Sequence, residues 1–191
     1  MISKLNSKLP NVSNSLEYER VEKISLDLQE ILEEIYYKSP AGGCYLIGHC
    51  LSEILNEYGL VSRKVTGKLA LHIKNTNDKY AKYGIINLKG HYIGNYHTWC
   101  EVVINNETYI IDPSLKYNKL ALKQYFDIKV NNKIPNLVFS KKANTYIYKY
   151  IEDISLECQS MSFLKRISTC RINEIVTKTL EKQNNEIRKA S

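Results

Sequence analysis

Three short segments of this chain carry residue types that do nucleophilic chemistry at a carbonyl. Gly42-Gly43-Cys44 puts a cysteine at the first turn of a stretch that reads as helix. A helix N-terminus carries partial positive charge and free N–H groups, which favour the nucleophilic thiolate over the thiol. The two glycines let backbone and substrate approach closely, and the Cys44 N–H can help hold an oxyanion. Tyr96-His97-Thr98-Trp99 places His97 at the entrance of a strand. A neutral imidazole near a thiol takes its proton and gives an ion pair. Ile110-Ile111-Asp112-Pro113 closes the partner strand. Between the two strands lies Asn105-Asn106, a tight-turn pair, so the start of the first strand sits opposite the end of the second. His97 and Asp112 thereby become neighbours, and a carboxylate there binds one ring nitrogen and fixes the tautomer of the other. Each segment alone has a plainer reading: a buried Cys beside a loop, a strand-edge His, an Asp-Pro turn. The hairpin register is what joins them.

The elements that must position these groups follow from periodicity. Val21, Ile24, Leu28, Ile31, Leu32 and Ile35 recur at helical steps, which predicts an amphipathic helix over 14–38. Ser39-Pro40-Ala41-Gly42-Gly43 breaks it. A second helix runs from Cys44 to about Tyr58, apolar enough to be buried on more than one side, with Gly59 at the C′ position. Val61 to Ile73 reads as one or two strands with Gly67 as a bend, 75–82 as a polar loop, and 85–93 as a further strand. The hairpin of 98–104 and 108–111 follows, then a short helix over 119–126, a loop over 131–135 and a strand over 146–151. From Ile154 the residues favour helix, most firmly over 162–182. This order is α+β rather than alternating βαβ: a buried helix opening with Cys44, packed on an antiparallel sheet, with flanking helices. The expected organisation is a flexible leader over 1–13, a catalytic domain over 14–150 and a helical extension over 151–191 packed on it.

Composition narrows the function classes. A chain of 191 residues suits one domain. The net charge is +7, but the lysines are scattered and no basic run is interleaved with aromatics, so nucleic acid is not the expected partner. The five cysteines are odd in number and lack a CxxC, which argues against a disulfide framework and a zinc site. No cofactor or metal is implied. Reduced thiols suit the cytosol, or delivery into a target cytosol without a cleaved signal peptide. No stretch approaches the ~20 apolar residues of a membrane span.

The chemistry-bearing segments also resemble a known family. Gly43-Cys44, then Leu46, Leu51, Leu55, Tyr58-Gly59-Leu60, Arg63, Val65 and Gly67, is similar to the core motif of transglutaminase-like proteins, in which a Cys opens a helix followed by an Arg-x-Val-x-Gly strand. His97-x-Trp99-x-Glu101-Val102 resembles the family's His strand, and Tyr109-Ile110-Ile111-Asp112-Pro113 its Asp-Pro strand. The resemblance covers about residues 40–115. Departures are Tyr109 in place of Trp, Tyr45 where a small or acidic residue is usual, and Cys100 where an aliphatic is usual. The resemblance implies a papain-like, transglutaminase-like core with Cys44 as nucleophile, His97 as base and Asp112 as the orienting residue. It implies acyl transfer from an amide or ester of a protein or peptide through a thioester. Water as acceptor makes a peptidase, amidase or deamidase, and a small amine makes a transglutaminase. Gly43, Tyr45 and Trp99 are candidates near the substrate or oxyanion, and Tyr36 and Tyr37 are further candidates for an oxyanion donor.

Other readings compete. A binding module could keep the fold without the chemistry, although an intact Cys, His and Asp argues against that. An arylamine N-acetyltransferase-like enzyme would use the same triad with acyl-CoA, but no region for CoA stands out. A signal-less thiol enzyme also suits a delivered toxin or effector. Cys50 sits in the helix interior, where the dipole effect has faded. His49, His72 and His91 share no metal-like spacing, and Trp99 reads as packed beneath the site rather than touching substrate. Arg63 is the expected partner of Glu101, and Tyr146, Tyr148 and Tyr150 read as one strand face, suited to an interaction surface.

Overall fold

The structure, a computed structural model, describes residues 12–36, 40 and 42–190. Of the leader expected over 1–13, residues 1–11 lie outside the described residues, and Val12 already opens a helix. The chain runs α1 (Val12–Ile35), α2 (Cys44–Glu57), β1 (Ser62–His72), β2 (Tyr80–Tyr83), β3 (Gly90–Gly94), β4 (His97–Ile104) and β5 (Glu107–Asp112). It continues with α3 (Leu115–Phe126), β6 (Val138–Ser140), β7 (Tyr148–Glu152), a short 3-10 turn (Ile154–Leu156), α4 (Glu157–Leu164) and α5 (Thr169–Ala190). The fold is α+β, a seven-stranded sheet with flanking helices.

Alternating side chains of the sheet divide two cores. Cys100, Val102, Ile104 and Ile111 face α1, α2 and α5, where Ile24, Leu28, Leu32, Ile47, Leu51 and Ile54 are fully buried. Val65, Leu69, Leu71, Trp99 and Ile110 point the other way, onto Leu115 and Leu122 of α3, Tyr148 and Tyr150 of β7, and Ile128 to Ile134. The apolar stripe read from the sequence of α1 is the stripe it buries. α2 ends in a Schellman arrangement: Leu60 N–H reaches Leu55 O (3.0 Å), and Gly59 N–H reaches Asn56 O (2.9 Å).

Strand β1 organises the sheet. Along one edge it pairs with β7, from Gly67↔Glu152 to Leu71↔Tyr148. Along its other edge it pairs first with β4, up to Gly67↔His97, and then with β2, from Leu69↔Tyr83. β2 and β4 therefore meet end to end on one side of β1, and Tyr83 and His97 stand side by side at the seam. Gly67 is not the bend expected from its residue type: it lies within the strand, where a Cβ would fall 2.1 Å from the Ile151 carbonyl oxygen of β7. Only glycine admits that approach.

Several boundaries differ from expectation. The sheet is mixed rather than antiparallel, because β3 runs parallel to β2. β2 begins inside the span expected as a polar loop, and residues 85–89 are irregular chain with bends rather than strand. Here glycines and short polar spacing obscure a pairing that is set by the neighbouring strand. The division expected at 150/151 falls inside β7, and the helix expected over 162–182 is broken between α4 and α5. α5 packs against α1 and α2. No helix among the described residues is long and apolar enough to cross a membrane.

Candidate active site

The β4–β5 hairpin fixes His97 relative to Asp112. Asn105 and Asn106 both adopt left-handed backbone (φ 54° and 62°), the geometry of a type I′ turn, and the ladder runs from Ile104↔Glu107 to Cys100↔Ile111. Extending it sets Asp112 opposite Trp99 and diagonal to His97, on one face of the sheet. His97 Nε2 lies 2.7 Å from Asp112 Oδ2, with His97 wholly buried and Asp112 1% exposed. An ionised carboxylate only accepts, so the imidazole donates through Nε2 and Nδ1 is left for another partner.

Asp112 is saturated with donors. Oδ1 accepts from the Ser114 N–H (3.0 Å) and hydroxyl (2.6 Å), and Oδ2 accepts from His97 and the Tyr150 hydroxyl (2.8 Å). Burial pushes the carboxyl up, but the His97 charge and these hydrogen bonds outweigh it and hold the group below its ordinary range. Burial would likewise push His97 down. Asp112 beside it, and to a smaller extent the nearby Cys44 side chain, raise it instead to about 10. Tyr83, Trp99 and Tyr150 surround the imidazole at ring-centroid distances of 5.7, 6.3 and 6.1 Å. The Asn118 side-chain nitrogen lies 3.5 Å from His97 Nδ1.

Cys44 opens α2 as expected, and α2 is pressed onto the strand that His97 opens. At Gly48 a Cβ would come 3.1 Å from both Thr98 Cγ2 and the Trp99 carbonyl oxygen. The N–H groups of Leu46 and Ile47 share the Gly43 carbonyl (both 3.0 Å), while those of Cys44 and Tyr45 have no acceptor among the described residues. These are positions at which a helix start leaves donors without an intrahelical partner. Cys44 forms part of the wall of a cleft of about 790 Å³. Aromatic side chains dominate this cleft, among them Tyr45, Tyr83, Tyr96, Tyr125, Phe126 and Phe163, and none of the described residues lining it is charged. Burial raises the Tyr83 phenol, as do the nearby Cys44 and Asp112, so its hydroxyl stays a donor.

Of the residues singled out in the sequence, Cys44, His97 and Asp112 come together at one corner. Gly43 and Tyr45 line the cleft, as does Tyr36, while Tyr37 lies outside the described residues. Trp99 does not reach the cleft: it is 2% exposed, packed edge-on against Tyr150 (5.2 Å) beneath His97. A ring so covered supports the imidazole and cannot touch substrate. Arg63 does meet Glu101 (2.6 Å) and also Glu152 (2.6 Å). Tyr148 and Tyr150 are buried inward rather than offered as a surface, because their side of β7 faces the second core. Cys50 and Cys100 are buried away from the cleft, and burial pushes Cys50 up to about 12.

The sequence reading missed Tyr150, Ser114, Asn118 and Tyr83. Ser114 carried a local signal, since an Asp two residues before a Ser is a side-chain-capped turn. Tyr83 and Tyr150 carried none, because strand pairing across long stretches of chain delivers them.

No protein-family model matches the chain, and no curated protein matches it. Among solved structures, the crystal structure of a genomics target is similar over 93% of this chain and 82% of its own, at 12% identity and a TM-score of 0.49. A likeness this remote speaks for neither fold nor chemistry, which rest on the chain's own geometry.

Proposed function

We propose that the chain is a thiol enzyme of the transglutaminase-like, papain-like kind, acting on an amide or ester carbonyl through a Cys44 thioester. One observation carries the reading: a fully buried imidazole, charge-paired to a carboxylate on one side, meets the thiol at a helix start in the wall of a cleft. Asp112 holds the Nε2–H of His97, so Nδ1 takes the thiol proton. The Cys44 sulfur attacks the carbonyl carbon, and charge moves to the carbonyl oxygen within reach of the Cys44 and Tyr45 N–H groups. Collapse of that intermediate breaks the bond to the leaving amine or alcohol, which receives the proton from His97. Water or an amine then attacks the thioester while His97 accepts its proton, and Cys44 is regenerated. The aromatic, uncharged lining favours a neutral acyl group, such as an apolar or amide side chain of a protein or peptide.

The test is alkylation by iodoacetamide at about pH 6, mapped by mass spectrometry, where ordinary thiols with pKa near ~8.5 react slowly. Rapid labelling of Cys44 that is lost in His97→Ala supports the reading. Uniformly slow labelling of all cysteines would remove it and favour a binding module. With amide, ester and acyl-CoA donors, each with and without a primary amine, the ammonia, alcohol or CoA released identifies the accepted donor, and the mass of the acyl product separates hydrolysis from transfer.

A further inference from the structure

A second cavity, of about 360 Å³, lies against α3 and is lined by Lys74, Lys116, Lys119, Lys123 and Lys129, with Leu120, Ile128, Val130, Asn132 and Asn136 completing it. Five of the ten lining residues are lysines and none is acidic, although the whole chain carries 20 acidic residues. We propose that this cavity binds a small soluble anion bearing two or more phosphate groups.

The first support is its construction. The walls are three segments tied by main-chain hydrogen bonds rather than a run of surface side chains. Lys74 N–H reaches Lys129 O (2.8 Å), Asn131 N–H reaches His72 O (2.8 Å), and Ile73 bridges Val130. Lys116 N–H reaches Asn136 O (3.1 Å), and Ile128 N–H reaches Leu122 O (2.9 Å). The five ammonium-bearing stems are therefore held around one hollow, although like charges gathered over an apolar floor repel each other. Such a concave, single-sign arrangement focuses potential on a counter-ion.

The second support is charge left over. Lys116 pairs with Glu33 (2.5 Å), and Lys119 donates to the Ile134 carbonyl (2.8 Å) and Asn136 Oδ1 (2.9 Å). Lys74, Lys123 and Lys129 have no ion pair or side-chain hydrogen bond among the described residues and are exposed. Lys119 is pushed below the ordinary lysine range by burial, which a bound anion would relieve. Size selects the ligand: at ~30 Å³ for each water displaced, the hollow holds about a dozen waters, more than one phosphate group occupies. No aromatic ring lines it among the described residues, so none of them offers a stacking platform for nucleic-acid bases.

The site is separate from the cleft. On α3, positions 116, 119, 120 and 123 line the lysine cavity, whereas 118, 121, 125 and 126 line the Cys44 cleft, and no residue lines both. At about 100° per residue, 118, 121 and 125 lie opposite the lysine set, and Phe126 reaches the cleft from the last position of the helix.

The experiment is titration of the full chain with inorganic tripolyphosphate by isothermal calorimetry, at fixed ionic strength set with sodium chloride. The expected result is saturable binding near one ligand per chain. It weakens by about tenfold for each lysine replaced in Lys123→Glu and in Lys123→Glu with Lys129→Glu, following the loss of a charge-assisted contact. Lys89→Glu, an equal charge change outside both cavities, should leave it unaltered. No saturable binding, or equal loss with Lys89→Glu, would overturn the site. Capture by phosphatidylcholine vesicles carrying phosphatidylinositol 4-phosphate, undiminished by excess tripolyphosphate, would overturn the soluble ligand. Sulfate at equal ionic strength binding as tightly would overturn the need for several phosphates. Cys44 alkylation, read in parallel, reports on the cleft independently of these outcomes.

Discussion

Cys44 and Cys50 sit six residues apart on one helix and are chemically unlike. Cys44 stands at the mouth of α2, with N–H groups that have no acceptor among the described residues, an imidazole nearby and a cleft in front. Cys50 lies inside the same helix, fully buried among Ile24, Leu28 and Ile47, with burial raising its thiol to about 12. One residue type thus serves chemistry at one end and packing less than two turns later. The difference comes from position: the helix start supplies donors and the sheet corner supplies a base, while the interior supplies only apolar contacts.

The sharpest way to break this contrast is a pair of truncations. Cys44→Ala should lower turnover of any accepted substrate by at least about a thousandfold and shift the urea midpoint little, since it removes the nucleophile and little packing. Cys50→Ala should do the reverse, losing about 1 kcal/mol of stability through a small cavity while keeping the rate. Equal rate losses in both would mean that Cys44 has no special station. Next in size, His97→Ala should slow alkylation of Cys44 by about a hundredfold, while Cys50 stays unlabelled in the folded chain with or without the imidazole.

Smaller effects probe the support behind the base. Tyr150→Phe deletes one hydrogen bond to Asp112 and keeps the ring against Trp99. It should slow Cys44 alkylation by up to about tenfold and cost about 1 kcal/mol in urea unfolding. The pH dependence of stability is the gentlest probe. His97 has a raised folded pKa, so its contribution is complete below its ordinary value of 6.5 and is lost as pH climbs through about 10. Asp112 has a lowered one, so its contribution is present above the ordinary 3.8 and is lost as pH falls through its folded value. The urea midpoint should therefore decline as pH rises from about 6.5 to about 10, and His97→Gln should flatten that decline. An unchanged slope in the variant would separate His97 from the ion pair.

What could be read from the sequence was local. The α1 stripe, the start of α2 at Cys44 and the Asn105-Asn106 turn each follow from spacing or turn chemistry within a few residues. That turn alone was enough to bring His97 near Asp112. Illegible features depended on distant chain. Gly67 carries no mark that β7, more than eighty residues later, will press a carbonyl against it. The parallel pairing of β2 with β3 lacks the helical crossover by which such pairs are usually recognised. The lysine cavity escaped because Lys74, Lys123 and Lys129 look scattered until Ile73 bridges Val130.

The four donors on Asp112 have a consequence for how protons travel. A carboxylate offers about four lone-pair sites, and here each one faces a hydrogen from Ser114, His97 or Tyr150. Nothing remains to accept the Nε2 proton as a mobile particle, and its depressed affinity for protons opposes the transfer. The carboxylate acts as an anchored counter-charge and not as a relay station. In mixtures of light and heavy water, the acylation rate should fall linearly with deuterium content, the mark of a single hydron in flight between sulfur, imidazole and leaving group.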